Sequence, residues 1–398
     1  MPESGAVTTK VPWRLRVMTV VGPVLLLSFL AVALVPEVDV DITAPRVAEA
    51  AQTKCLPTGD LDSVRALNRF AATVRGGGEF AGADVGASTV LQDGRRLLVF
   101  GDTLRAADFE GQRFVRNSML VFSPGCASVV MPADHGALIP DRADGVGYWP
   151  MSVARARRAG YDLVIVFAQR VRSTGGADDA FAFENLGPAA AVFVVPRGES
   201  PQLASVQDFG PDRPGTEHPT WGAATEVADG GNGEWVYLYG TSRPEVEGVF
   251  GFALQVARVR PEEVLEQDEW RYWDGTDWVA DPDAAAELID AVGGVSQTLS
   301  VFEKDGTWYA VSKRDEFLGT DLAAWTASAP TGPFAPPVAL AELPSTEQEL
   351  RYMPLAHPQL LPRPGSVVVS YSRNNPDVGK VLDDPFLYRP RFLRVDLP

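Results

Sequence analysis

The sequence predicts an all-β protein: a five-bladed β-propeller over residues 80–398, preceded by an N-terminal transmembrane or signal segment and one short helix. The first observation behind this is a pattern that recurs five times. A β-rich run, a turn holding a glycine and a second β-branched or aromatic run ending in polar residues begin at Asp84, Trp149, Trp221, Ser296 and His357. The second is spacing. Successive starts lie 61 to 75 residues apart, longer than the roughly 40 to 50 residues of common propeller repeats and enough for four-stranded blades with insertions. The third is composition: 398 residues, 45% hydrophobic and 22% charged, can bury a large core and are not a disordered chain.

In chain order, residues 1–16 form a basic segment with Lys10, Arg14 and Arg16, expected on the cytoplasmic side. Residues 17–36 follow as a signal peptide or signal-anchor helix, uncharged from Val17 to Val35 and succeeded by Glu37, Asp39 and Asp41. That run can just span a bilayer, but Gly22-Pro23 shortens the smooth helix to about the length of a signal-peptide core, and Ala31-Val32-Ala33 offers small residues for cleavage. Cleaved export and a retained anchor both fit. Each places the remainder outside the cytoplasm, secreted or held on the plasma membrane facing the cell wall, with the membrane as a partner if the segment is uncleaved. Cys55 and Cys126, the only two cysteines, then meet an oxidising compartment in which a single disulfide is expected.

Residues 37–58 lack periodicity and read as a linker. Residues 59–79 hold the helix: Leu61, Val64, Leu67 and Phe70 recur at helical spacing, Asp60 is placed to cap it, and Gly76 to Gly78 end it.

The hairpin from Asp84 to Thr103 turns at Asp93-Gly94, a dipeptide suited to the positive φ of tight turns. If Gln92 pairs with Arg95, Asp84 faces Thr103 and Asp102 faces Val85. A turn looser by one residue sets Asp84 opposite Asp102. Either register makes the two carboxylates neighbours, since opposed and diagonal ladder partners lie roughly 4.5 to 8 Å apart. If first strands line the axis, hairpin starts and second-strand ends converge on one face: Asp84, Asp102, Thr103, Trp149, Gln169, Arg170, Trp221, Thr241, Arg314, Asp315, His357, Arg373 and Asn374. Carboxylates, aromatic rings and amide or guanidinium donors form a carbohydrate-binding set. Glu226, inside the third hairpin, reads as a solvated strand residue or a distant third carboxylate.

A formal charge of −17 repels nucleic acid and anionic lipid, while an uncharged polysaccharide meets no such barrier. Three scattered histidines, His135, His218 and His357, give no zinc spacing, and no cofactor motif is present. Acidic loops such as Asp281 to Asp283 could supply oxygens to calcium but follow no calcium-loop pattern. No Gly-x-Ser-x-Gly elbow appears.

Phe-Gly-Asp-Thr at 100–103, Asp84-Val85-Gly86, WRYWDGTDW at 270–278, SAPTGPF at 328–334 and the HPQL…VVSYSRNN run ending at Asn375 resemble actinobacterial propellers of glycoside hydrolase family 183. The resemblance covers residues 80–398 and implies an endo-D-arabinanase-like enzyme. Its substrate would be α-D-arabinofuranosyl chains of arabinogalactan or lipoarabinomannan. The family's paired aspartates map to Asp84 and Asp102. Furanoside hydrolysis needs one protonated carboxyl to donate to the leaving oxygen and one ionised to attack or to activate water. Asp102 is assigned as nucleophile or base and Asp84 as acid/base, and the two roles could be exchanged. Thr103, Trp149, Gln169, Trp221, Arg314, Asp315, His357, Arg373 and Asn374 are the expected substrate-binding residues. Two other readings compete: Asp84 caps a strand start and Asp102 brackets a turn, or the propeller binds envelope glycan or a partner protein without catalysis.

Overall fold

In the computed structural model the residues described are 50–73, 78–175 and 182–398. The expected segments 1–16 and 17–36, and the linker as far as residue 49, lie outside them. No described helix is long and apolar enough to cross a membrane.

Five antiparallel sheets succeed one another along the chain. The first holds the hairpin of Gly82–Val90 and Arg96–Leu104, then Ser118–Ser123 and Cys126–Pro132. The second runs through Gly147–Arg158, Tyr161–Ser173, Phe183–Pro196 and Gln202–Asp208. The third begins with Thr220–Asp229, Glu234–Ser242 and Ala253–Val259 and ends in two short strands. The fourth has Ser300–Lys304, Thr307–Lys313, Asp321–Ala327 and Val338–Glu342. The fifth has Leu350–His357, Ser366–Asn374 and Arg391–Asp396. First strands pack on one another from sheet to sheet, and Leu350–His357 returns to Gly82–Val90, which closes a propeller-like ring. Four sheets reach the four strands expected of a blade. The last stops at three, so the expected set of five complete four-stranded blades is met by four.

Two-residue periodicity explains the stacking, because each strand sends alternate side chains to opposite faces. In the second sheet Val164 and Val166 pack with Leu97, Val99 and Val121 of the first, whereas Ile165 and Phe167 pack with Trp221 and Leu238 of the third. Tyr239 and Leu254 meet Val301 and Trp325 farther round, and Phe302 and Val311 meet Val367 and Val369.

Several expectations are corrected here. Part of the linker is structured: Ala50–Gln52 and Leu56–Pro57 add to the outer edge of the first sheet along Cys126–Pro132, where Cys55 and Cys126 are joined by a disulfide. The helix spans Val64–Thr73 and begins at Ser63 rather than Asp60, because the Ser63 hydroxyl accepts the Ala66 N–H at 3.2 Å. The first turn is the looser one, since Leu91 rather than Gln92 pairs with Arg95. The fifth hairpin starts at Leu350, not at His357. Pro354 and a bulge between Tyr352 and Leu355, with Met353 at φ 43°, disguise the strand in the sequence. His357 therefore lies at the far end of its strand, opposite Val368, while Leu350 opposes Asn374.

Candidate active site

The site is built on an irregularity in the first hairpin. Ala83 pairs with Thr103 and Val85 with Phe100, so Asp84 lies across from Gly101 and Asp102. A second irregularity follows between Val85 and Ala87, where Val85 takes φ 64° and Gly86 φ 95°. Such bulges re-aim side chains, often beside functional sites. Gly101 is required by the same geometry: a Cβ there would stand 2.6 Å from Asp84 Oδ1.

Each carboxyl has its own partners. Asp84 Oδ2 accepts the Tyr352 hydroxyl at 2.8 Å, and the carboxylate also accepts the Tyr388 hydroxyl and the backbone N–H of Asp102. Tyr388 is delivered by the C-terminal segment, whose carbonyl at that residue accepts the Ala83 N–H at 2.7 Å. The Arg389 guanidinium pins the same segment to the carbonyls of Ala81 and Ala71. Asp102 Oδ1 accepts the Trp149 indole N–H at 2.6 Å and lies 4.0 Å from Arg116 Nη1.

Burial sets the electrostatics. It pushes the Asp84 carboxyl up from 3.8 to about 6 against the pull of the two tyrosine donors. It also raises Asp102 well above the ordinary carboxylate range; the negative charge of Asp84 adds to that rise, and Arg116 and the Trp149 donor oppose it. Both shifts favour the protonated form of the pair relative to an isolated aspartate. Tyr352 and Tyr388 are both raised far above the usual phenol value, mainly by burial, so their hydroxyls stay donors.

Of the other residues read from the sequence, Asn374 joins the site by donating to the Tyr352 hydroxyl, and Trp149 holds Asp102. The remaining positions go elsewhere. Thr103 is 0% exposed and bonded to Ser118 and the Gly101 carbonyl, so no ligand reaches it. Gln169 is buried against Asn185. Arg170 is buried in an ion-pair network with Asp208, Asp212 and Arg142. Trp221 is core, with its ring 5.1 Å from that of Tyr272. Buried Thr241 donates to the Gln297 carbonyl. Arg314 and Asp315 form an exposed pair at 3.7 Å, and Arg373 is tied to Glu349 at 2.6 Å.

His357 is buried in the ring, its two nitrogens each 2.7 Å from a serine hydroxyl, Ser88 and Ser370. It borders an axial cavity of about 350 Å³ that Glu226 also lines and that the two aspartates do not. Glu226 is accordingly not a freely solvated strand residue: burial, with Glu303 nearby, pushes it up to about 8. Among the described residues no group of three or more His, Cys, Asp or Glu side chains is placed to hold a metal ion.

Sequence reasoning missed Tyr352, Tyr388 and Arg116. Tyr352 was hidden with its strand. Tyr388 lies in an irregular segment after the last hairpin, where no periodicity marks a site residue.

The fold and this pair define a propeller-like protein with two neighbouring, half-buried carboxyls at the open end of its first hairpin. The chain belongs to the family described as a domain of unknown function, DUF5005, whose model matches residues 68–396. No curated protein matches it. Among solved structures it is similar to one described as a "putative hydrolase" from Bacteroides ovatus ATCC 8483, at 18% identity and a TM-score of 0.61, covering 87% of this chain and 93% of that one. That likeness is one of fold. Weaker matches include CoXyl43, a GH43 β-xylosidase/α-arabinofuranosidase from a compost microbial metagenome, at 12% identity and a TM-score of 0.45 over 88% of this chain and 95% of that one. Another is an exo-β-1,3-galactanase from Phanerochaete chrysosporium, at 11% identity and a TM-score of 0.44 over 79% of this chain and 61% of that one.

Proposed function

We propose that the protein is a glycoside hydrolase in which Asp84 and Asp102 are the two catalytic carboxyls. The observation that carries this reading is the pair itself. Two aspartates side by side, both raised above the ordinary range, form an acid and a base. A strand cap or turn bracket would call for no such shared burial.

The donor pattern distributes the roles. Asp84 accepts two tyrosine hydroxyls and a backbone N–H, which favours its ionised form, while Asp102 bears the repulsion of that charge and keeps the proton. Asp102 is then the acid that protonates the departing glycosidic oxygen, and Asp84 the carboxylate that attacks the anomeric carbon or takes a proton from water. This is the exchanged form of the assignment made from the sequence. Trp149 fixes the acid's orientation, and Tyr352, steadied by Asn374, fixes that of Asp84.

The substrate we propose is an α-D-arabinofuranosyl polymer of the cell envelope, arabinogalactan or lipoarabinomannan. The resemblance of this sequence to family 183 propellers supports it, as does a net charge of −17 that favours a neutral glycan over a polyanion. The location is proposed to be outside the cytoplasm, on the strength of the 17–36 segment and the joined cysteines.

The test is incubation of the purified full-length chain with arabinogalactan and with synthetic aryl arabinofuranosides. Release of arabinan oligomers by the parent and by neither Asp84→Asn nor Asp102→Asn is expected. Asp102→Asn should keep appreciable activity on an aryl glycoside whose leaving group needs no protonation, whereas Asp84→Asn should not. Unchanged hydrolysis by both variants would remove the assignment. Glycan binding with no hydrolysis of any arabinan would favour a binding module.

A further inference from the structure

Two exposed phenylalanines flank the carboxyl pair. Phe183, at the start of the third strand of the second sheet, lies with its ring centroid 4.5 Å from that of Trp149, whose N–H holds Asp102. Phe317, in the short turn Glu316–Leu318 after the second strand of the fourth sheet, stacks at 4.9 Å and 21° on Tyr352, whose hydroxyl holds Asp84. The rings therefore run in sequence from Phe183 through Trp149 to Asp102 and Asp84, then through Tyr352 to Phe317.

Ring order puts the two ends on opposite sides. The first sheet, which carries both aspartates, packs between the second sheet and the fifth, and Trp149 and Tyr352 come from those two neighbours. Each phenylalanine is 36% exposed although its partner ring is largely covered. Neither is needed to fill a core. A large apolar side chain left partly in water, edge-on to Trp149 in one case and stacked on Tyr352 in the other, beside the residue that orients a catalytic carboxyl, is placed to meet a ligand.

We infer that Phe183 and Phe317 are sugar-stacking platforms that receive furanose residues of a glycan chain on either side of the bond addressed by Asp84 and Asp102. The apolar C–H face of a sugar ring packs on an aromatic face, and both are removed from water together. This rests on the glycosidase reading for the identity of the ligand, and it adds the residues that would hold the chain. Neither phenylalanine carries a proton or touches a carboxylate. Each is a binding residue, and its loss should appear in substrate affinity.

The experiment uses the full-length chain with Phe183→Ala, Phe317→Ala and the conservative Phe183→Trp and Phe317→Trp. Kinetics on soluble arabinogalactan are compared with kinetics on an aryl arabinofuranoside. Affinity electrophoresis in arabinogalactan gels reads binding independently of turnover. A contact worth what aromatic pairs are worth predicts a KM for the polymer raised roughly 3- to 10-fold by each alanine variant. The tryptophan variants should restore it, with kcat and the pH profile on the aryl substrate unchanged. A shifted pH profile would mean that the ring acts only by positioning Trp149 or Tyr352, and would overturn the inference. Polymer KM and gel retardation equal to those of the parent in folded alanine variants would also overturn it. If the parent hydrolyses nothing, the glycosidase reading fails separately, and reduced retardation of the alanine variants would still uphold the platforms.

Discussion

Replacing Asp84 by Asn should make stability less dependent on pH in a direction that the site's electrostatics fix. The Asp84 carboxyl is raised in the folded protein from 3.8 to about 6 by burial. Between those values the folded state binds more protons than the unfolded state, so stability falls as pH rises through the window, and the cost is complete above about 6. At about 1.36 kcal/mol for each pKa unit, it amounts to about 3 kcal/mol. The neighbouring Asp102 side chain is 17% exposed, so water reaches the site and this figure is a ceiling. An asparagine carries no charge at any pH. Whatever hydrogen bonding it gains or loses is nearly constant with pH, so the informative quantity is the change in the difference between variant and parent. For a folded unit of roughly 350 residues, about 3 kcal/mol corresponds to about 4 °C in Tm. The assay is scanning calorimetry of both proteins from pH 3.5 to 8. The difference in Tm should move by up to about 4 °C in favour of Asp84→Asn as pH rises from 4 to 7, while hydrolysis is lost. Parallel curves across that range would refute the claim that the site holds Asp84 against its ordinary ionisation, and with it the electrostatic argument for the pair.

Further expectations follow from individual contacts. Gly101→Ala places a methyl group 2.6 Å from Asp84 Oδ1, and should lower activity by at least about tenfold with little change in Tm, since displacing the carboxyl by about 1 Å suffices; full activity would show that Asp84 is not held there for catalysis. Joining Cys55 to Cys126 closes a loop over a separation of 71 residues, so the double serine variant should lose about 2–4 kcal/mol of stability in urea titrations. An unchanged midpoint would mean that the edge strands alone hold the segment. Burial lowers His357 from 6.5 to about 4. The unfolded state therefore binds more protons in that window, and the contribution of His357 to stability is lost as pH falls through it, by up to about 3 kcal/mol. Denaturant titrations at pH 4.5 and 7 should show a smaller loss in His357→Gln than in the parent; equal losses would contradict a neutral buried imidazole.

The aspartate pair and the ring of hairpins were legible because they follow from local rules. Alternation and turn glycines mark strands, and Asp93-Gly94 folds one hairpin so that residues eighteen apart meet. Trp149 could be placed for the same reason, near the start of its hairpin. What could not be read was which way a side chain at the converging face turns. Thr103, Gln169, Trp221 and Thr241 stand at the right height but are buried within or between sheets, a choice made by packing and by bulges rather than by position in the strand. His357 was misplaced by a whole strand length because Pro354 and the left-handed Met353 break the period in Leu350–His357. Tyr388 was invisible for a different reason. It reaches Asp84 because the C-terminal segment docks on Gly82, where any Cβ would meet the carbonyls of Pro385 and Tyr388 at 2.6 Å, and that is a long-range fit no local pattern encodes.

The central claim is that Asp84 and Asp102 hydrolyse a glycosidic bond together, and the most direct test is chromatography of the products formed from arabinogalactan by the parent, Asp84→Asn and Asp102→Asn chains. Arabinan oligomers are expected from the parent alone, with both variants folded and still retarded in glycan-containing gels. Oligomer release by either variant at the rate of the parent would contradict it.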